Sequence, residues 1–370
     1  MTALKIVVKV GTSTLTAGTS KLNRRRMLEL AQQIVQLRDA GYEMVLVSSG
    51  AIAAGRERIK NIQHSLANTV PVKQMLAAVG QTHLMMSWEQ VFDMFDVPVA
   101  QVLLTRADLS DRRRYLNARD TLNTIVAHQT IPIINENDAV ATDEIRVGDN
   151  DNLSALVANV ISADMLIILT DQDGLFTSDP RHDPTATLVT EVAVLDDHIW
   201  SLAGASRTGL GVGGMTTKLQ AADLATRSGM SVVIANGSKP GVIMSAALGQ
   251  LVGTRFLPTM NRIESRKRWI LSEKTTGCVV VDEGAAQAIS EGKSLLPVGI
   301  RDVRDGFERG EVIVVRDLLG RDIAHGITRY NAEDARRIAG HKSSDIGSIL
   351  GYDYAAMLIH TDDMVIMLTS

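Results

Sequence analysis

From residue 4 to about residue 258 the chain alternates short aliphatic runs with longer stretches whose apolar residues recur at helical spacing. Strands covered on both faces need apolar side chains at nearly every position, as in parallel sheets. Residues 4–10 (LKIVVKV), 44–48 (MVLVS), 97–104, 131–135, 165–170 and 232–235 read that way. Between them, residues 72–88, 116–128, 152–163 and 216–228 read as helices. In the first helix Asn23 suits the N-cap, Met27, Leu30, Ile34 and Leu37 recur three or four apart, and Gly41 follows the C-cap. Strand–helix–strand repetition with right-handed crossovers predicts an α/β fold, a three-layer α/β/α sandwich with a mostly parallel sheet. Ligands of such sheets bind beyond the carboxyl ends of the strands, so candidate chemistry is sought there.

After Pro258 the pattern changes. Residues 261–271 (NRIESRKRWIL) form a charged connector, followed from Gly277 by short β-like runs (CVVV, EVIVV, DIAHGIT) separated by glycines. One helical segment, residues 332–339, interrupts them. The expected organisation is an α/β domain over 1–258, a linker over 259–276, a small β-rich barrel over 277–355 and a tail over 356–370. A length of 370 residues fits two or three domains.

With 45% apolar and 22% charged residues, the composition excludes disordered and collagen-like structure. No apolar run reaches the ~18–20 residues of a membrane span. A single cysteine, Cys278, excludes a disulfide scaffold and a thiolate zinc cluster. A soluble, cytoplasmic protein is expected. The net charge of −4 is unevenly spread: residues 1–276 carry 28 basic and 27 acidic residues, residues 277–370 carry 10 and 15. Nucleic-acid binding needs a basic face, so the acidic C-terminal region speaks against RNA.

Two nucleotide motifs fail on context. Gly209, Gly211 and Gly214 satisfy G-x-G-x-x-G, but SLAGASRT precedes them where a strand should stand, and the next strand ends at Asn236 rather than an acidic residue. Gly292-Lys293-Ser294 ends like a Walker A loop, but Gln287 replaces its first glycine.

Other segments are better candidates. GLGVGGMTTK (209–218) is a glycine-dense loop entering a helix, where backbone N–H groups can approach a phosphate and Lys218 can reach it; taken alone, it reads more readily as a surface loop with a solvated lysine. Lys9 interrupts an aliphatic strand before Gly11, where a buried ammonium needs an anion, unless it points to solvent. Ser48-Ser49-Gly50-Ala51 opens a small-residue helix start that suits a carboxylate or phosphate, or simply close helix–sheet packing. Asn135-Glu136-Asn137-Asp138 and Gly148-Asp149-Asn150-Asp151-Asn152 place amides and carboxylates at a strand end and before a helix. They suit a substrate ammonium, or a metal in company with phosphates, while also serving as caps. Thr170-Asp171-Gln172-Asp173-Gly174 ends another strand and reads as a nucleotide contact or a plain turn.

Taken in order, KVGTS, VSSGAIAAG, LLTRADL, LNARDTL, INENDAVAT, VGDNDNLSALVA, LTDQDGLF and GGMTTKLQAA closely resemble the bacterial glutamate 5-kinases of the amino-acid kinase family. VDEGA, LLPVGI, RGEVI, GRDIAHG and RYNAEDARRIAG are similar to the PUA domain many of them carry. Val10, Val212 and Thr217 are mild variants beside the key positions. The resemblance implies ATP-dependent phosphorylation of the γ-carboxylate of L-glutamate, the first step of proline biosynthesis. It implies Lys9 and Lys218 as stabilisers of the transferring phosphoryl group, oriented by Asp151. Glutamate would be held by Ser49, Gly50, Asn135, Asp138, Asp149 and Asn150. ATP would meet Lys9, Gly11, Thr170, Asp171 and residues 212–218 (Val212, Gly213, Gly214, Met215, Thr216, Thr217, Lys218), with Mg²⁺ held mainly by its phosphates and by no metal-ligating cluster of the chain. It further implies a homo-oligomer, dimer or tetramer, inhibited by proline, with a glutamyl-phosphate reductase as a partner. Relatives acting on aspartate, acetylglutamate or carbamate are the nearest alternative, and a PUA-based RNA binder the alternative of another class.

Overall fold

The computed structural model describes residues 3–59, 69–141, 149–204, 214–259, 264, 267 and 270–367. The chain divides into two compact units, residues 1–260 and 261–370.

The first unit is built on an eight-stranded sheet in the order β3-β4-β2-β1-β5-β7-β8-β6. Its strands are β1 (Lys5–Val10), β2 (Glu43–Ser48), β3 (Val99–Leu104), β4 (Ile131–Glu136), β5 (Met165–Thr170), β6 (Glu191–Val192), β7 (Ser231–Asn236) and β8 (Thr254–Phe256). All described pairings are parallel except β7 with β8. The helices are α1 (Thr12–Thr16), α2 (Arg24–Asp39), α3 (Ala51–Arg58), α4 (Val70–Asp93), α5 (Arg106–Ser110), α6 (Arg112–Ala127), α7 (Asp149–Val160), α8 (Asp197–Leu202), α9 (Met215–Arg227) and α10 (Val242–Ala247).

Two apolar layers sandwich the sheet. On one face Val7, Val45, Ile134 and Ile168 pack against residues of α6, α7 and α9; on the other Ile6, Val8, Val10 and Leu46 pack against α2, α4 and α10. Successive strand residues alternate faces, so the unbroken aliphatic runs feed both layers. In α2, Asn23 accepts a hydrogen bond from the Arg26 N–H, and Gly41 after the C-cap has φ +92°.

Helices α3 and α4 approach unusually closely. A Cβ on Gly55 would lie 2.0 Å from the Leu76 carbonyl oxygen, and one on Gly80 would lie 1.8 Å from that of Ala51. Only glycine permits this contact, which fixes the register of α4 against the carboxyl end of β2.

The second unit holds a five-stranded sheet, β10-β9-β11-β12-β13, comprising β9 (Cys278–Val281), β10 (Ile300–Arg304), β11 (Val312–Arg316), β12 (Asp322–Ile327) and β13 (Met364–Ile366). Two departures from expectation stand out. Residues 283–290 (EGAAQAIS) form a helix, α11 (Glu283–Ser290), capped by Asp282, beside the anticipated helix α12 (Ala332–Ile338). The expected tail is integral: Leu358, Ile359 and Met364 are core residues, and β13 pairs antiparallel with β12. Of the expected linker, residues 260–263, 265–266 and 268–269 lie outside the described residues, and Ile270 is fully buried against Val312, Ile327 and Val365.

Candidate active site

Lys9 sits on central strand β1, between β2 and β5. Period-two alternation puts it on the face of Val7, the face that α7 and α9 cover. Its ammonium is therefore carried beneath the N-terminal turns of those helices, and only 4% of the residue is exposed. Helix α7 starts at Asp149, three residues before the expected start at Asn152, so Asp151 belongs to its first turn. Asp151 is fully buried and meets both lysines: Lys9 Nζ is 2.6 Å from Oδ1, and Lys218 Nζ, from the first turn of α9, is 3.2 Å from Oδ2. The Thr217 hydroxyl lies 2.7 Å from the same Oδ2 and donates to it. The Lys218 ammonium also donates to the Gly214 carbonyl at 3.3 Å.

Burial alone would push the Asp151 carboxyl up, but the ammoniums of Lys9 and Lys218 and the hydrogen bonds from Lys9 and Thr217 outweigh it and hold the group below the usual carboxylate range. Lys9 is shifted down, first by burial, which Asp151 only partly offsets, with repulsion from Lys218 adding to it. Two ammoniums facing one carboxylate leave one uncompensated positive charge in a nearly dry place. Such a site favours an anion.

Asn150 precedes Asp151 on α7. Neighbouring helical residues point about 100° apart, so Asn150 turns to a different cluster. Its Nδ2 donates to Ser49 Oγ and to Asn135 Oδ1, both at 3.1 Å. Asn135, at the end of β4, donates to Gln81 Oε1 at 2.8 Å and accepts the Glu136 N–H at 2.9 Å. Gly50, at φ +106°, caps α3 in a left-handed conformation that turns the chain away from Ser49. Beneath it the Trp88 indole N–H donates to Ser48 Oγ at 2.9 Å. Asp138 is half-buried in the turn that follows β4.

A third group lies at the ends of β5 and β7. The Thr170 hydroxyl donates to Asp171 Oδ1 at 3.1 Å, and Asn236 Nδ2 donates to Asp173 Oδ1 at 2.9 Å. Lys239 pairs with Asp173 Oδ2 at 2.8 Å. Gly11 closes β1 with its α-carbon turned toward Lys9; a Cβ there would sit 3.4 Å from Lys9 Nζ.

The structure thus brings Lys9, Asp151 and Lys218 together, and Ser49, Asn135 and Asn150 together, with the first turn of α7 joining the two clusters. Three expected nucleotide contacts are turned elsewhere by their side chains: Thr217 toward Asp151, Thr216 toward the Ala203 carbonyl and Met215 against the core. Gly214, at φ +75°, caps α9. Val212, Gly213 and the side chain of Asp149 lie outside the described residues. Gln81 was not anticipated. Its signal was a buried amide on the inward face of α4, among Ala77, Gly80 and Leu84.

The sequence matches the family model described as Amino acid kinase family over residues 5–236, and the PUA domain model over residues 277–350. It is 55% identical to the glutamate 5-kinase of Cronobacter sakazakii over 97% of this chain and 98% of that protein. It is 54% identical to the glutamate 5-kinase of Serratia proteamaculans, covering 98% of each. A UMP kinase structure from Bacillus anthracis aligns with a TM-score of 0.49 at 18% identity, over 69% of this chain and 96% of that one. Near-full-length identity above one half, on a sheet that gathers two lysines around one buried aspartate, places the chain in the amino acid kinase family, among its glutamate 5-kinases.

Proposed function

We propose that the chain transfers the γ-phosphoryl group of ATP to the γ-carboxylate of L-glutamate, giving L-glutamyl 5-phosphate and ADP, the first step of proline biosynthesis. The observation that carries this reading is Asp151 held between Lys9 and Lys218. An amino-acid carboxylate, with a pKa near ~4, is already ionised at neutral pH and needs no general base. It attacks the γ-phosphorus; a new carboxyl O–P bond forms as the bond to the β–γ bridging oxygen breaks. Charge spreads over the three equatorial oxygens in such a transfer, so catalysis rests on positioning and electrostatics. Lys9 and Lys218 supply the positive charge, and Asp151 keeps both ammoniums aimed. Ser49 accepts from Asn150, which leaves its hydroxyl proton to donate to a substrate oxygen. Thr170, Asp171 and the segment leading into α9 hold the nucleotide.

Both oxygens of Asp151 face ammoniums, so the Mg²⁺ implied by the family fits as a partner of the ATP phosphates rather than as a ligand of this carboxylate. When bound, it neutralises phosphate charge. The same reading includes association into dimers or tetramers, inhibition by proline at a site overlapping glutamate, and delivery of the labile acyl phosphate to a reductase. No helix among the described residues is long and apolar enough to cross a membrane.

The test is ADP release with hydroxylamine trapping of the acyl phosphate, using glutamate, aspartate and N-acetylglutamate, with and without proline. Glutamate-dependent hydroxamate is expected. Turnover with aspartate or N-acetylglutamate instead would overturn the assignment.

A further inference from the structure

The amide chain beside Asp151 has a fixed polarity, and its two ends are open. A backbone N–H can only donate, so the atom of Asn135 that receives the Glu136 N–H is its oxygen. Its Nδ2 must then face Gln81, which is obliged to offer Oε1 at 2.8 Å. Asn150 likewise uses both hydrogens of Nδ2, on Asn135 Oδ1 and on Ser49 Oγ. One backbone group thereby orients three side-chain amides. Gln81 Nε2 and Asn150 Oδ1 remain, both buried and both without a hydrogen-bond partner among the described residues. Gln81 is 9% exposed and Asn135 2%. A buried polar atom left unpaired is costly unless something pairs with it.

The two open ends differ in kind. Gln81 presents a donor and Asn150 an acceptor, which matches the α-carboxylate and α-ammonium of an amino acid. Gln81 is delivered there by backbone packing: its neighbour Gly80 rests against the Ala51 carbonyl of α3, just after Ser49 and Gly50.

We propose that Gln81 is a recognition and positioning residue of the amino-acid pocket. Its Oε1 locks the Asn135–Asn150–Ser49 chain, and its Nε2–H donates to the substrate α-carboxylate. This rests on the glutamate-kinase reading above.

Gln81→Glu keeps the shape and the acceptor for Asn135 but replaces the donor with negative charge. Gln81→Met removes both functions. The full-length chain is assayed for KM of glutamate, KM of ATP and kcat, with the melting temperature followed in parallel. Gln81→Glu is expected to raise the glutamate KM by about 10- to 100-fold, the scale of a lost hydrogen bond to a charged group. The ATP KM stays within about threefold. Gln81→Met shows the same split; if it fails to fold, Gln81→Glu decides. A glutamate KM within about threefold of wild type in Gln81→Glu overturns the proposal, as does an ATP KM that rises in parallel. Wild-type protein without glutamate-dependent ADP release defeats the underlying reading; active wild type with unchanged variants defeats only the role of Gln81.

Discussion

Replacing Asp151 with asparagine keeps the volume of the side chain and removes its charge. At the observed separations of 2.6 Å and 3.2 Å, Coulomb attraction at an effective dielectric of 20 comes to about 6 and about 5 kcal/mol. These are ceilings, because an orphaned ammonium can move or lose its proton; breaking a buried pair costs about 3–5 kcal/mol in practice. Lys9 is the group that yields, since burial already lowers its pKa and Asp151 is what opposes the fall. In Asp151→Asn the Lys9 pKa drops further and the neutral amine gains population as pH rises. kcat should fall by about 100- to 1,000-fold near neutrality, the scale of a lost electrostatic stabiliser. It should recover partly as pH is lowered, because acid restores the Lys9 charge. Hydroxylamine trapping between pH 6 and 9 reads both effects. A variant with kcat within about threefold of wild type, or a loss that is flat across that range, would refute the reasoning.

Lys218→Ala should lower kcat by at least about 100-fold; unchanged turnover in the same assay would remove Lys218 from the phosphoryl site. Asp138→Ala should raise the KM for glutamate more than that for ATP, and an effect confined to ATP would contradict its placement. Gly80→Ala would set a methyl 1.8 Å from the Ala51 carbonyl, costing about 1–3 kcal/mol or more as α4 is forced off α3. Thermal melting should show the loss, and the glutamate KM should rise with it. In the second unit the Tyr352 phenol, which donates to Asp334, is pushed up to about 12. An unfolded phenol titrates near ~10, so this contact favours folding below that pH and is lost as pH rises through about 12. In an ultraviolet titration Tyr352→Phe should remove a phenol that ionises at about 12; an unchanged curve would show the contact absent in solution.

The α/β/α layering was legible because buried parallel strands demand aliphatic residues on both faces, and Lys9 stood out as a charge inside such a run, beyond Lys5 at its start. Its partner was harder to read. Asp149, Asn150 and Asp151 look alike as cap formers, so the start of α7 and the inward turn of Asp151 depend on α9 packing above it. Gln81 was hidden for a related reason: one of three glutamines in a 24-residue helix gains meaning only from Asn135, which the fold brings to it. In the second unit, EGAAQAIS is short with Ile289 as its one large apolar residue, and its helix rests on the Asp282 cap and on packing of Ala285, Ala286 and Ile289 against the core. Residues 358–366 resemble a tail until β12 supplies the partner for β13.

The charge cluster also bears on how the enzyme comes into being. Lys9 is made well before Asp151, and Lys218 follows another 67 residues on. Strand β8, which links β7 to the edge strand β6, comes later still. Parallel pairings over such separations form slowly, because loop closure precedes any reward. A nascent or refolding chain therefore passes through states with helices and central strands but no assembled triad. Phosphoryl transfer should be the last native property to return.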